Sequence, residues 1–217
     1  MDKITVKGII FDMDGVLIDS EPYMAQSSAL ALNRRGMPAK AEDFEQFCGM
    51  GEYRYLGGVA ALYGGSYSEE LKDEAYSIYI EGVEDNCIVF PKVRETVLYL
   101  AGTGIPMAVA SSADSVKVLA NVRALKLPED IFTRVITGSD VSRNKPDPDI
   151  FLKAAKALGV DPEKCLVAED SIAGVKAAKA AGSFCLGITT SHTEEELKEA
   201  GADMTSPDIG ILKKIIC

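Results

Sequence analysis

The sequence predicts an α/β fold, a doubly wound (Rossmann-like) parallel sheet core with an inserted all-helical cap domain. Three observations predict it. A nearly continuous apolar run from Val6 to Phe11 opens the chain, as suits a central parallel strand buried on both faces. From Pro22 to about Asn86 apolar residues then recur at three- and four-residue spacings, with no convincing strand among them, which is the helical period. Beyond Phe90-Pro91, short apolar runs alternate with amphipathic segments to the C-terminus, the signature of right-handed crossovers and a sheet with helices on both faces.

Taken in order, Asp12 ends the first strand. The helical insertion rests on Ala29, Leu30 and Leu32, then Phe44 and Phe47, then Leu71, Ala75, Ile78 and Tyr79. After it, the period predicts helices over Lys92 to Ala101, Ser115 to Leu125, Pro148 to Leu158, Ala173 to Ala181 and Glu194 to Glu199. Strands are expected between them at Met107 to Ala110, Val135 to Thr137, Cys165 to Ala168 and Cys185 to Ile188. The core is thus assigned residues 1–20 and 88–217 and the cap residues 21–87, with crossings near Asp19 to Glu21 and near Asn86 to Phe90. A chain of 217 residues accommodates one domain or two.

Composition narrows the function classes. The formal net charge of -10 would repel a nucleic-acid backbone or an anionic lipid surface, and the only dense basic pairs are Arg34-Arg35 and Lys213-Lys214. No stretch is long and apolar enough to read as a membrane span, and the N-terminus lacks a signal-peptide pattern,. Five cysteines without a CxxC pair argue against a disulfide framework. A monomeric cytoplasmic protein with no nucleic-acid or membrane partner is expected.

Four segments, each just after an expected strand, carry the chemistry: Asp12-Met13-Asp14-Gly15, Ser111-Ser112, Lys145-Pro146 and Glu169-Asp170-Ser171. In an open parallel sheet such strand ends converge on one crevice. Residues two apart on an extended strand point the same way, so Asp12 and Asp14 can face one site while Gly15 lets the chain turn. With Glu169 and Asp170 converging, these carboxylates would repel one another unless a cation sat between them. Mg²⁺ is the natural cation for an all-oxygen site that also holds a phosphate. Lys145, before a proline and biased away from helix, is expected at the crevice edge. Each segment alone also has a plainer reading: a turn with a helix cap, a capping serine, a solvated lysine.

In order and context, the four segments resemble the motif set of the haloacid dehalogenase superfamily, subfamily I, with a helical cap, in its β-phosphoglucomutase-like and phosphoglycolate phosphatase-like branch. The DxDG motif reads Asp12-Met13-Asp14-Gly15, the hydroxyl motif falls on Ser111, the lysine motif on Lys145, and the acidic motif on Glu169-Asp170. The resemblance implies a Mg²⁺-dependent phosphatase of small phosphorylated metabolites, with Asp12 as nucleophile, Asp14 as general acid and base, and Ser111 and Lys145 on the phosphoryl oxygens. It implies metal ligation by Asp12, Asp14 through its main-chain carbonyl, Asp170 and Glu169. Substrate contacts are expected from Ser112 and from the cap loop residues Gly49, Glu52 and Arg54. A β-phosphoglucomutase is the alternative. That enzyme carries a histidine in its first cap helix, where this chain has Met24, and the only histidine here is His192. Dehalogenases lack an acid at the position of Asp14, and phosphonatases need a cap lysine that the run from Gly49 to Arg54 does not contain.

Other signals are set aside. Cys48 and Arg54 match the spacing of a Cys-x5-Arg phosphate loop, but they lie in the helical insertion with Phe47 before the cysteine. Gly57-Gly58 and Gly64-Gly65 are expected to mark helix ends. A receiver-type signalling module would accept phosphate at its third strand, whereas here the candidate follows the first.

Overall fold

The structure, a computed structural model, describes residues 3–48 and 51–216, with Glu52 described by its backbone alone. The chain runs β1 (Gly8–Phe11), β2 (Ile18–Asp19), α1 (Glu21–Arg34), a 3-10 segment (Ala41–Phe47), α2 (Glu52–Leu62), α3 (Glu69–Asn86) and β3 (Ile88–Val89). It continues through α4 (Val93–Ala101), β4 (Met107–Ala110), α5 (Ser115–Ala124), β5 (Arg134–Ile136), α6 (Asp149–Leu158) and β6 (Cys165–Glu169). It closes with α7 (Ile172–Ala180), β7 (Phe184–Ile188), α8 (Glu194–Ala200), β8 (Met204–Ser206) and α9 (Leu212–Ile215). Two compact units emerge, one of residues up to Asp19 with those from Ile88 onward, the other spanning Ser20–Cys87. Among the described residues no helix is long and apolar enough to cross a membrane.

The first unit is built on a six-stranded sheet in the order β5-β4-β1-β6-β7-β8, parallel throughout. Every residue of β1, β4 and β6 is buried, which is why these strands read as apolar runs, β6 broken only by Glu169 at its end. On one face Ile10, Ala108, Val167 and Cys185 join Ile150, Phe151 and Ala154 of α6 and Val175 and Ala178 of α7 in a single apolar cluster. α6 turns Ile150, Phe151, Ala154 and Ala155 inward at helical spacing and stops at Gly159, whose φ of 68° suits a residue without a Cβ,. Truncating Phe151 to alanine would cost about 3–5 kcal/mol, since that ring is wholly buried,.

The chain passes from β1 outward to β4 and β5, then returns to place β6 on the other side of β1. The reversal between β1 and β6 is where a doubly wound sheet opens a crevice beyond its strand ends. Three strands were not legible beforehand. β2 and β3 form a separate antiparallel pair, Ile18 opposite Val89 and Asp19 opposite Ile88, too short for any period to show. β8 is the polar-tipped run Met204-Thr205-Ser206 at the sheet edge. The first strand also starts at Gly8 rather than Val6.

In the second unit α1 packs along α3, with the Tyr23 and Tyr79 rings 5.5 Å apart and the Tyr23 hydroxyl donating to Ile78 O at 3.3 Å. The Asn33 amide donates to Ala29 O and Ala39 O at 2.7 and 2.8 Å, closing the turn after α1. Ser68 caps α3 by accepting from Leu71 N at 3.2 Å,. Gly64, with φ of 78°, follows the end of α2 as expected. Gly57 and Gly58 instead lie inside α2. A Cβ on Gly58 would come within 2.5 Å of the Phe47 ring, so close packing, not a helix end, explains that pair.

Candidate active site

Four adjacent strands, β5, β4, β1 and β6, lead into the motif segments. Asp12 leaves the end of β1 with its N–H donating to Ala168 O at 2.9 Å, and Glu169 closes β6 with Asp170 just beyond. All three carboxyl groups are buried, and each offers an oxygen within 4.8 Å of the others. Lys145 does not stay at the crevice edge. Its side chain is 7% exposed, and its ammonium donates to the Asp12 carboxylate, to Glu169 Oε2 at 2.7 Å and to Ala110 O at 3.3 Å. Its Nζ lies 4.9 Å from the centre of the Phe151 ring. Burying a cation is costly without opposite charge, and here the carboxylates supply it.

Electrostatics follow from this crowding. Burial, with the nearby Glu169 and Asp170 charges, holds the Asp12 carboxyl well above its ordinary range, and the Lys145 ammonium pulls the other way. Burial and Glu169 push Asp170 up to about 7. Burial would lower Lys145, but the Asp12 and Glu169 charges outweigh it and raise it. With all three carboxyl groups ionised, one ammonium would leave two negative charges unbalanced, and this is the repulsion that favours protons on Asp12 and Asp170 unless a cation takes their place. Buried and built of carboxylate oxygens, the cluster fits a hard divalent cation,.

Two glycines hold the carboxylates in place by lacking side chains. A Cβ on Gly15 would lie 1.9 Å from Asp170 Oδ2, and one on Gly174 would lie 2.0 Å from Glu169 Cδ. Glu169 Oε1 accepts from Ser171 N at 3.0 Å and from Ser171 Oγ at 2.7 Å. Two consecutive residues after β7 complete the clamp: Thr190 Oγ1 donates to Gly15 O at 2.6 Å and Ser191 Oγ donates to the Asp170 carboxylate.

Asp14 takes different partners from Asp12. Its Oδ1 accepts from Asn121 Nδ2 at 3.3 Å and lies 3.5 Å from Lys117 Nζ, both on α5. Ser111 is buried, and its Oγ accepts from Ala113 N at 3.3 Å; Ser112 is exposed. Gly138 supports that turn, since a Cβ there would meet Ser112 O at 2.2 Å.

Sequence reasoning missed Lys117, Asn121, Thr190 and Ser191. The four-residue spacing of Lys117 and Asn121 was visible, but a polar pair on a helix ordinarily reads as a solvated face. In the cap unit, Gly49 lies outside the described residues and the Glu52 side chain is not described. Arg54 is exposed on α2 and lines a cap cavity of about 500 Å³ with Phe47, Tyr53 and Tyr67.

Such a sheet, with carboxylates and a lysine gathered at its reversal point, defines a class of hydrolytic α/β cores, and comparison with known proteins gives the family. The haloacid dehalogenase-like hydrolase profile matches residues 6–182. The chain belongs to that family. It is 30% identical to the phosphorylated carbohydrates phosphatase of Thermotoga maritima, over 97% of this chain and 100% of that protein. It is 39% identical, over 94% of its own length, to the Arabidopsis thaliana protein SUPPRESSOR OF QUENCHING 1, chloroplastic, but spans only 20% of that protein. A crystal structure of a provisionally named β-phosphoglucomutase from Thermotoga maritima superposes with a TM-score of 0.82 at 31% identity, covering 96% of this chain and 99% of the other.

Proposed function

We propose that the chain is a Mg²⁺-dependent phosphoric monoester hydrolase of small phosphorylated metabolites, sugar phosphates or similar, working through an aspartyl-phosphate. The observation that carries this reading is the buried Asp12–Lys145–Glu169 contact, with Asp170 beside it, at the reversal point of the sheet. Similarity to the phosphorylated carbohydrates phosphatase supports the substrate class.

Asp12, Asp170, Glu169 and the main-chain carbonyl of Asp14 would hold Mg²⁺, which when bound offsets charge on the phosphoryl oxygens. Asp12 attacks phosphorus in line, forming a carboxylate–phosphorus bond as the ester oxygen leaves, and Asp14 gives that oxygen its proton. In the second step Asp14 takes a proton from water, whose oxygen attacks phosphorus and releases Asp12 and inorganic phosphate. Lys145 and the Ser111 hydroxyl hold phosphoryl oxygens, so positioning and charge supply most of the rate. Ser112 is assigned a substrate contact in the sheet unit; Gly49, Glu52 and Arg54 are assigned substrate contacts from the cap unit, where an arginine suits a second anionic or polyhydroxy group.

A β-phosphoglucomutase is the second reading, favoured by the superposition on the Thermotoga maritima structure. Met24 at the expected histidine position speaks against it. Phosphate release over a panel of sugar phosphates with Mg²⁺, following β-glucose 1-phosphate also for conversion to glucose 6-phosphate, separates the two. Free phosphate without isomerised product is expected. Rapid isomerisation with little free phosphate would replace the hydrolase by the mutase.

A further inference from the structure

α5 carries two buried polar side chains that no step above uses. Lys117 is 7% exposed and Asn121 is fully buried, on a helix whose other inward residues are Val118, Ala120 and Ala124. Four residues apart, they share one face of the helix. Both reach the same atom, Asp14 Oδ1, the amide at 3.3 Å and the ammonium at 3.5 Å. Burying a lysine and an amide without partners is costly, so Asp14 is a substantial part of what allows them there. The Asp14 side chain itself is 22% exposed, open enough for solvent to hydrate it. The contact therefore does more for the orientation of Asp14 than for its solvation.

We infer that Lys117 and Asn121 are positioning residues that fix the orientation of the Asp14 carboxyl group, and so where it delivers its proton. This rests on the reading of Asp14 as the acid for the leaving group. The Asn121 amide donates to Oδ1 and the Lys117 ammonium lies against the same oxygen, so one edge of the carboxyl group is tied to the helix. The carboxyl plane is thereby held by α5 rather than left to rotate. In the first step the O–H bond of the Asp14 carboxyl group breaks as the phosphorus–ester bond breaks, the proton passes to the ester oxygen, and Asp14 is left as carboxylate. Proton transfer from a misplaced acid loses much of its advantage, because geometry precedes acidity in general acid catalysis.

The dependence of kcat/KM on the leaving group tests this. An alkyl ester such as a sugar phosphate needs its departing oxygen protonated, whereas p-nitrophenolate departs well without help. In Lys117→Met and Asn121→Ala, kcat/KM for a sugar phosphate is expected to fall roughly 10- to 100-fold, and that for p-nitrophenyl phosphate far less. Thermal unfolding of each variant shows whether it folds, and Asn121→Ser, which keeps a donor hydroxyl, should recover part of the loss on the sugar phosphate. Equal losses on both esters, or none on either, would overturn the inference, since a role in packing alone does not discriminate leaving groups. Asp14→Ala distinguishes the parent reading. If that variant turns over the sugar phosphate normally, Asp14 is not the acid at all; if it shows the same selective loss while the α5 variants do not, only the positioning role fails.

Discussion

Gly15 and Asp170 touch so closely that no other residue fits at position 15: a Cβ there would sit 1.9 Å from Asp170 Oδ2. The backbone at Gly15 has φ of 80°, a conformation that L side chains rarely adopt. The turn after β1 and the acidic pair after β6 are thus packed against each other, and the glycine sets how near the carboxylate comes to Asp12.

Gly15→Ala should strain the turn by about 1–2 kcal/mol and push Asp170 away from Asp12 and Glu169. Divalent-cation affinity should fall by roughly tenfold or more, in line with losses seen when groups orienting a ligand are disturbed. Titration calorimetry with Mg²⁺ checks this, and unchanged affinity would show that Asp170 does not help to hold the metal.

Lys145→Met removes the only ammonium that contacts Asp12 and Glu169 among the described residues. Breaking a buried pair from one side costs about 3–5 kcal/mol. Stability at pH 8 should drop by that order. The deficit should shrink toward pH 5, where Asp12 and Asp170, both held above the ordinary carboxylate range, take up protons. Urea unfolding at the two pH values decides it; an equal deficit at both would mean that charge is not the cause.

Burial and the Glu169 charge move Asp170 from an ordinary 3.8 to about 7. Without metal, the folded chain then binds more protons here than the unfolded chain between those values. The contribution of Asp170 to stability is accordingly full below pH 3.8 and lost as pH rises through about 7. A divalent cation must displace that proton, so its affinity should rise with pH and level off above about 7. Calorimetric Kd values for Mg²⁺ at pH 6 and pH 8 should differ by roughly tenfold, weaker at pH 6; a pH-independent Kd would refute the linkage.

Asp12→Asn removes the proposed nucleophile and keeps its shape. Turnover should fall by roughly 1,000-fold or more, with the thermal midpoint unchanged or raised because an amide is less costly to bury than a carboxylate. Phosphate release and thermal unfolding on the same preparation test this, and a variant keeping most of its activity would move the nucleophile elsewhere.

The central strands were legible because burial on both faces leaves no polar residue to interrupt them: Ile9, Ile10 and Phe11 read as they fold. The Asp12 and Glu169-Asp170 segments were legible for a related reason, since a charged residue closing such a run stands at a strand end; Ser111 and Lys145 were legible only through their order along the chain with those two. What escaped were contacts that depend on tertiary placement. Nothing local tells that Lys145 turns inward to Asp12, or that Lys117 and Asn121 face a carboxylate instead of water. Thr190 and Ser191 follow a strand as Ser111 does, yet hydroxyls in a loop are too common to single out. Gly58 shows the converse, an isolated signal read as a helix end because the Phe47 ring that requires it lies eleven residues away in sequence.

The short pairing of β2 with β3 closes the neck of the insertion: Ile18 meets Val89, Asp19 meets Ile88, and the Phe90 N–H donates to Leu17 O at 3.2 Å. Outgoing and returning strands are thereby stapled one strand spacing apart, whatever lies between them. The sheet has no register that depends on the length or content of that excursion. The catalytic unit is in this sense a socket, able to accept a larger, smaller or altogether different insert while the carboxylates beyond β1 and β6 keep their places.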